Sequence, residues 1–515
     1  MAGPRSEEDL LATVRAEVLR GNLQRARSIA DQAIEAFPES LELRRAQAGI
    51  LQQCGLTDAA EAALRTLLAK HPDDAASAFS LARMLREQGR TATAAGVLRA
   101  CFAADVNRRD ANLSIAAIEL LDESDRKRDA EAIAKAAIEV NPGDPRLHAY
   151  AGMLAVQTGE FERARAHYLF ALDHDPRAVE WHVPIGLAST LRYPDPAHPD
   201  FARFRDGLRR DDLSDLARAE LHFALAKACD DIGDYGDAAE NLRPGNAIRK
   251  RNAAWSRKAW RRAIEARLAA ASNVPGAAPT PDFSPIFIVG MPRSGTTLLA
   301  ERLGRLPGVC NRGEQPWLAR LALQPALQGT PDGAALERAT RTYVAQVRQD
   351  NAGPARWFVD KQPLNFRYVD LALALFPDAH VVYCRRNARD NALSLWMQCF
   401  LEDVQGYSYD FDDIARVMRD CGRLMEHWRK RYPGSIHAIR YEDLVAAPEE
   451  AVAELIGWIG IPNAAAGNVA TDRRSDNVIS TASLWQARQP IHTRSVNRSE
   501  HYLPYIPELS RLSVE

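Results

Sequence analysis

Cysteine is sparse in this chain, and no two cysteines stand in Cys-x-x-Cys spacing. The seven (Cys54, Cys101, Cys229, Cys310, Cys384, Cys399 and Cys421) are scattered and odd in number. That argues against a disulfide framework or a paired-cysteine zinc site and fits free thiols in a reducing, cytoplasmic setting. Long apolar runs are missing too: none approaches the roughly 20 residues of a membrane span. The stretch from Met1 to Leu10 has no apolar core of a signal peptide. Charge of one sign is also lacking, since 66 Lys and Arg face 68 Asp and Glu. General nucleic-acid binding is therefore not expected. The length, 515 residues, leads us to expect two or three domains.

What is present in the first half is periodicity. Gly21, Ala26, Ala33 and Pro38 recur as Gly55, Ala60, Leu67 and Pro72, a shift of 34 at every position. Gly89, Ala94 and Cys101 stay in phase without the proline. After a two-residue slip the phase resumes at Ala130, Ala137 and Pro142, then at Gly159, Ala164, Ala171 and Pro176. A looser copy follows a Pro-rich insertion, at Gly233 and Ala238. Small residues suit close helix approach, and Pro stops the second helix of each pair. The pattern resembles the tetratricopeptide repeat, whose arrays stack into a superhelix with a concave face. That face is expected to dock a protein or peptide; the alternative is an array that oligomerises or braces the second domain. Residues 247–262 carry seven basic side chains and no acidic one, with Trp255 and Trp260 interleaved. They read as a helix with one solvated face, or as a positive rim that steers anions. Residues 269–281 have linker composition.

The second half opens with a β-branched run into a Gly-bounded turn, Ile286-Phe-Ile-Val-Gly-Met-Pro-Arg-Ser-Gly-Thr-Thr-Leu-Leu299. This is the strand–loop–helix form of a phosphate-binding loop, with Gly290 and Gly295 at the usual spacing. The lysine that reaches a triphosphate is absent, because Thr296 takes its place while Arg293 sits inside the loop. A short anionic 5′ group without a metal is the better ligand. Strands are expected at Trp357–Val359, His380–Cys384 and Ser435–Arg440, each followed by a helical stretch. Such alternation implies a parallel α/β sheet, with ligands beyond the C-terminal strand ends. Lys361, Arg386 and Tyr441 all lie at such ends.

Pro292-Arg-Ser-Gly-Thr-Thr297 resembles the 5′-phosphosulfate loop of sulfotransferases, and the run from Cys384 to Ser394 resembles their 3′-phosphate motif. The resemblance implies 3′-phosphoadenosine 5′-phosphosulfate (PAPS) as donor, no metal, and a 3′-phosphate gripped by Arg386 and Ser394. Pro292, Arg293, Ser294, Gly295, Thr296 and Thr297 would hold the 5′ group. Between Pro285 and Leu503 the chain is most similar to protein-tyrosine sulfotransferases. That likeness makes Glu314 the general base, Lys361 and Arg293 catalytic cations, and Tyr441, Ser483 and Arg498 further donor contacts. His492 is an alternative base. Departures include Gln398, where the family has a further donor-binding Arg, and the reduced context Asn311-Arg-Gly-Glu-Gln-Pro316. Glu314 paired with Arg312, and Lys361 with Asp360, are the non-catalytic alternatives.

The expected architecture is thus an all-α tetratricopeptide-repeat superhelix over 1–270, a linker over 271–283, and a sulfotransferase-like α/β domain of P-loop type over 284–515. The expected function is sulfuryl transfer to an acceptor hydroxyl, with protein tyrosine favoured. A carbohydrate or small-molecule hydroxyl and a non-catalytic nucleotide-binding scaffold are the alternatives.

Overall fold

The computed structural model describes residues 6–269, 276–348, 353–400, 403–462 and 493–512. The chain forms two compact units, Met1–Ala151 and Gly152–Glu515.

The first unit holds four helix pairs: Glu7–Leu19 with Leu23–Ala36, Leu41–Gln53 with Thr57–Lys70, Ala75–Glu87 with Thr91–Cys101, and Ala111–Glu123 with Lys127–Val140. Each pair is joined by a tight turn that needs a left-handed residue. Gly21, Gly55 and Gly89 supply it at φ 77°, 76° and 77°, at no cost in Cβ clash. In the fourth pair Asp125 takes that position at φ 56°. The two-residue slip follows the short helix Asp105–Arg109, inserted between the third and fourth pairs. The in-phase small residues Ala26, Ala33 and Ala60 are completely buried where paired helices meet.

In the second unit the same turn recurs at Gly159 and Gly233, both at φ 83°. Gly233 joins helices Asp215–Asp231 and Tyr235–Asn252, and Arg257–Leu268 follows. The α/β part is a five-stranded sheet: β1 Ser284–Gly290, β2 Val309–Asn311, β3 Trp357–Lys361, β4 His380–Arg385 and β5 Ile436–Arg440. Its order is β2-β3-β1-β4-β5, and every adjacent pair is parallel. The central strand is apolar on both sides, as a strand covered on both faces should be. Ile286 and Ile288 join Leu299, Leu303, Val382 and Leu455 in one core cluster. Phe287 packs among Tyr343 and Phe376. Strand β2, only three residues long, is too short to show a period and was not expected.

The basic stretch 247–262 divides: Lys258, Arg261 and Arg262 form the expected solvated face opposite buried Trp260, while other basic residues are tied to the sheet domain. Lys250 pairs with Asp410 and Arg257 with Asp413, carboxylates at the start of helix Phe411–Arg431. Arg249 Nη2 donates to the Phe400 carbonyl at 2.5 Å, Asn246 Nδ2 to the Trp396 carbonyl at 3.0 Å, and Trp260 Nε1 to Asp420 at 3.0 Å. The late helices are thereby bonded to the sheet domain. Of the expected linker, 271–275 lies outside the described residues. Its remainder is built into the domain: Ala277 N donates to the Ala374 carbonyl at 2.8 Å, and Phe283 stacks on Phe358 with centroids 4.8 Å apart. No helix among the described residues is long and apolar enough to cross a membrane.

Gly290 ends β1 at φ 146°, and a Cβ there would lie 2.4 Å from the Cys384 carbonyl oxygen in β4. Neither strand can yield without breaking the ladder. Gly290→Ala is expected to cost about 2–4 kcal/mol, read as a lowered urea midpoint.

Candidate active site

The loop Met291–Gly295 leaves β1 and enters helix Thr296–Gly304. Its backbone is held in an unusual course, with Arg293 at φ 71° and Gly295 at φ 92°. Three contacts fix it. Ser294 Oγ donates to the Met291 carbonyl at 2.7 Å, Asn391 Nδ2 donates to the Pro292 carbonyl at 2.9 Å, and Arg386 Nη1 donates to the Arg293 carbonyl at 2.9 Å. A side chain at Gly295 would meet the Tyr441 ring at 2.7 Å, so the loop passes directly over that ring. A helix's first turn directs N–H groups and the positive end of its dipole toward whatever the loop holds.

Arg293 stands within this loop, and Arg386 reaches it from the end of β4. Arg293 Nε donates to Ser394 Oγ at 3.2 Å. Arg386 lies over the Tyr441 ring, 4.7 Å from its centroid, and its Nη2 donates to the Ser495 carbonyl at 2.6 Å. The structure therefore brings Arg293, Arg386, Ser394 and Tyr441 together, although 148 positions separate Arg293 from Tyr441. Burial, with Arg386 and Arg498 nearby, pushes the Arg293 guanidinium down to about 10. Burial also lowers Arg386. Arg386 Nε is buried with no hydrogen-bond partner among the described residues. Crowded, desolvated cations with a donor left over fit an anion with more than one charged group, such as a nucleotide carrying 3′ and 5′ phosphates. Arg498 joins the cluster through its field, but Asp230 holds its side chain in an ion pair. Ser483 and His492 lie outside the described residues.

Lys361 ends β3 and pairs in register with Ile288 of β1, two residues before Gly290, which sets it beside the loop. Its Nζ donates to Glu314 Oε1. Neither neighbour pairing forms among the described residues: Glu314 is held by Lys361 rather than Arg312, and Asp360 accepts from the Tyr343 hydroxyl at 2.6 Å. The segment bearing Glu314 is zipped to β3, because Arg312 N donates to the Val359 carbonyl at 2.8 Å and Lys361 N to the Gly313 carbonyl at 2.9 Å. The Lys361 side chain is 3% exposed and that of Glu314 33%, so solvent reaches the carboxylate while the ammonium is buried. Burial pushes the Asp360 carboxyl up to about 7, against the opposing Tyr343 hydrogen bond.

Some supporting residues escaped the sequence. Asn391 ties the loop, and Asp390 accepts from the backbone N–H groups of Asn497 and Ser499 at 2.7 and 2.8 Å. Both sit in the Arg389-Asp-Asn391 start of a helix, where local polarity was visible but its target was not. No cluster of His, Cys, Asp or Glu disposed to hold a metal ion occurs among the described residues.

The fold is a parallel α/β domain preceded by helical repeats. Residues 285–465 match the model of the sulfotransferase family, and residues 18–84 and 116–179 match tetratricopeptide-repeat models. Over those residues the chain is similar to the sulfotransferase family and to tetratricopeptide-repeat proteins. It is 31% identical over 310 residues to an uncharacterized protein of Aquifex aeolicus, covering 56% of this chain and 40% of that one. It is 29% identical over 221 residues to nodulation protein NoeE of Sinorhizobium fredii, covering 35% and 51%. It is 24% identical over 193 residues to a protein-tyrosine sulfotransferase of Drosophila melanogaster, covering 34% and 38%. The chain thus spans about half the length, or less, of these curated relatives.

Proposed function

We propose that the chain transfers a sulfuryl group from PAPS to an acceptor hydroxyl, with a protein tyrosine as the favoured acceptor. The observation that carries this is the convergence of Arg293, Arg386 and Ser394 on one Gly-bounded loop. PAPS would supply the activated sulfuryl group on its 5′-phosphate. The loop and Arg293 hold the 5′ end, and Arg386 and Ser394 grip the 3′-phosphate. Lys361 and Arg293 meet the negative charge that builds on the departing phosphate side, a role fixed cations fill at low dielectric. Glu314 takes the proton of the acceptor hydroxyl, which for a phenol has a pKa of about 10. The repeats support a protein or peptide acceptor because their concave face offers a docking surface, and the scattered thiols support a cytoplasmic setting.

The nucleotide 3′,5′-bisphosphoadenosine is expected to bind at least about tenfold more tightly than AMP, since one charge-assisted contact contributes about 1.5–3 kcal/mol. Calorimetry giving equal affinities, or best binding of ATP with Mg²⁺, would sink the donor assignment. Transfer from labelled PAPS onto a panel of tyrosine peptides, glycans and small hydroxyl compounds identifies the acceptor. Binding without transfer to any of them would instead mark a nucleotide-binding scaffold.

A further inference from the structure

Arg498 belongs to the cationic cluster, yet it is not positioned by the α/β fold alone. Its Nη2 donates to Asp230, a residue near the end of helix Asp215–Asp231 in the last helical repeat. The other Asp230 oxygen accepts from the Tyr502 hydroxyl at 2.6 Å. Both Asp230 contacts come from the segment that follows Ser495, whose carbonyl binds Arg386. The repeat holds this segment at further points. The Tyr235 ring stacks on His501 with centroids 4.9 Å apart, and Arg243 pairs with Glu508 at 3.0 Å while donating to the Tyr505 carbonyl at 2.9 Å. Burial alone would lower the Arg498 guanidinium, but Asp230 raises it above its ordinary value.

An arginine has five N–H donors, and Arg498 directs only Nη2 to Asp230. Its Nε and Nη1 make no hydrogen bond among the described residues. The side chain is thus anchored at one nitrogen, with donors left for an anion beside Arg293 and Arg386. An arginine without that anchor would be driven from the other two by like charge and would lose rotamer entropy on each binding event.

We propose that Asp230 is a positioning residue for the donor site, so that the last helical repeat completes PAPS binding by presenting Arg498 already oriented. The proposal rests on the donor assignment above and extends it to a residue outside the sulfotransferase-family match.

The test uses the full chain and 3′,5′-bisphosphoadenosine. Asp230→Asn is expected to weaken binding about tenfold, and Arg498→Ala by as much or more. In the double variant the effects are expected not to add, because once Arg498 is gone Asp230 has nothing to orient. Asp230→Glu restores part of the affinity. Tyr502→Phe, which keeps the Asp230–Arg498 pair, is expected to change binding less than twofold. A structural role alone would lower the unfolding midpoint and weaken binding equally with or without Arg498, and that additivity would overturn the proposal. So would normal binding in Asp230→Asn alongside a weakened Arg498→Ala, which leaves the donor assignment intact. An unaltered chain that binds no bisphosphoadenosine would overturn the donor assignment and this proposal with it.

Discussion

Glu314→Gln is expected to lower sulfuryl transfer by about 10²- to 10⁴-fold while leaving bisphosphoadenosine affinity within about twofold. Glutamine preserves the shape and keeps an oxygen that can accept from Lys361 Nζ, but it cannot take up the acceptor's proton. The loop itself is expected to survive, because it is held by the backbone bonds of Arg312 and Gly313 rather than by the carboxylate. The variant also removes the counter-charge of the buried Lys361 ammonium. With the carboxylate one-third exposed, a loss of about 1–2 kcal/mol of stability is expected, less than for a fully enclosed pair. Single-turnover transfer, calorimetry and urea unfolding separate these three quantities. Near-normal turnover would move the base away from Glu314, with His492 next to be tested.

Lys361→Met is expected to reduce transfer by about 10²- to 10³-fold, the usual result of removing one preorganised electrostatic contact to developing charge. Methionine reproduces the length and apolar stem of lysine, so the site in β3 should tolerate it. Bisphosphoadenosine binding should fall less than transfer, because the side chain is assigned to charge that grows during the reaction. Glu314→Gln combined with Lys361→Met is expected to be little worse than either alone, since the pair acts as a unit. Full activity of Lys361→Met would return this lysine to the role of a buried ion-pair partner.

Much of the architecture was legible because it rests on local chemistry. The left-handed Gly21, Gly55 and Gly89 recur at a fixed interval, and the apolar strands end in polar motifs. Where Asp125 replaced a glycine the signal faded, because a tight turn tolerates a residue whose short polar side chain stabilises the same conformation. The sequence placed Glu314 and Lys361 in one site but could not pair them, for each has an oppositely charged sequence neighbour. Only the parallel pairing of β2 with β3 brings the Glu314 segment against Lys361. The solvated face of Lys258, Arg261 and Arg262 was legible, but the ion pairs of Lys250 and Arg257 were not, because their acidic partners lie 160 and 156 residues away, beyond any local pattern. Asp230 gave no signal at all, since nothing near it in the chain resembles a nucleotide contact.

The bonds made by Asp230, Asn246, Arg249 and Trp260 bear on how such proteins exchange parts. The Ala- and Pro-rich stretch before β1 looks like a natural seam for recombination. A chimera joined there would import a foreign last repeat, leaving Arg498 without its carboxylate, the Trp396 carbonyl without the Asn246 amide, and the Phe400 carbonyl with the Tyr409 hydroxyl but not Arg249. The portion free to diverge or be swapped for a new docking specificity ends earlier, by the turn at Asn141–Asp144 ahead of helix Pro145–Thr158. The first four helix pairs can then change independently, while the last repeat evolves under the constraint of its bonds to the sheet domain and to the segment carrying Arg498.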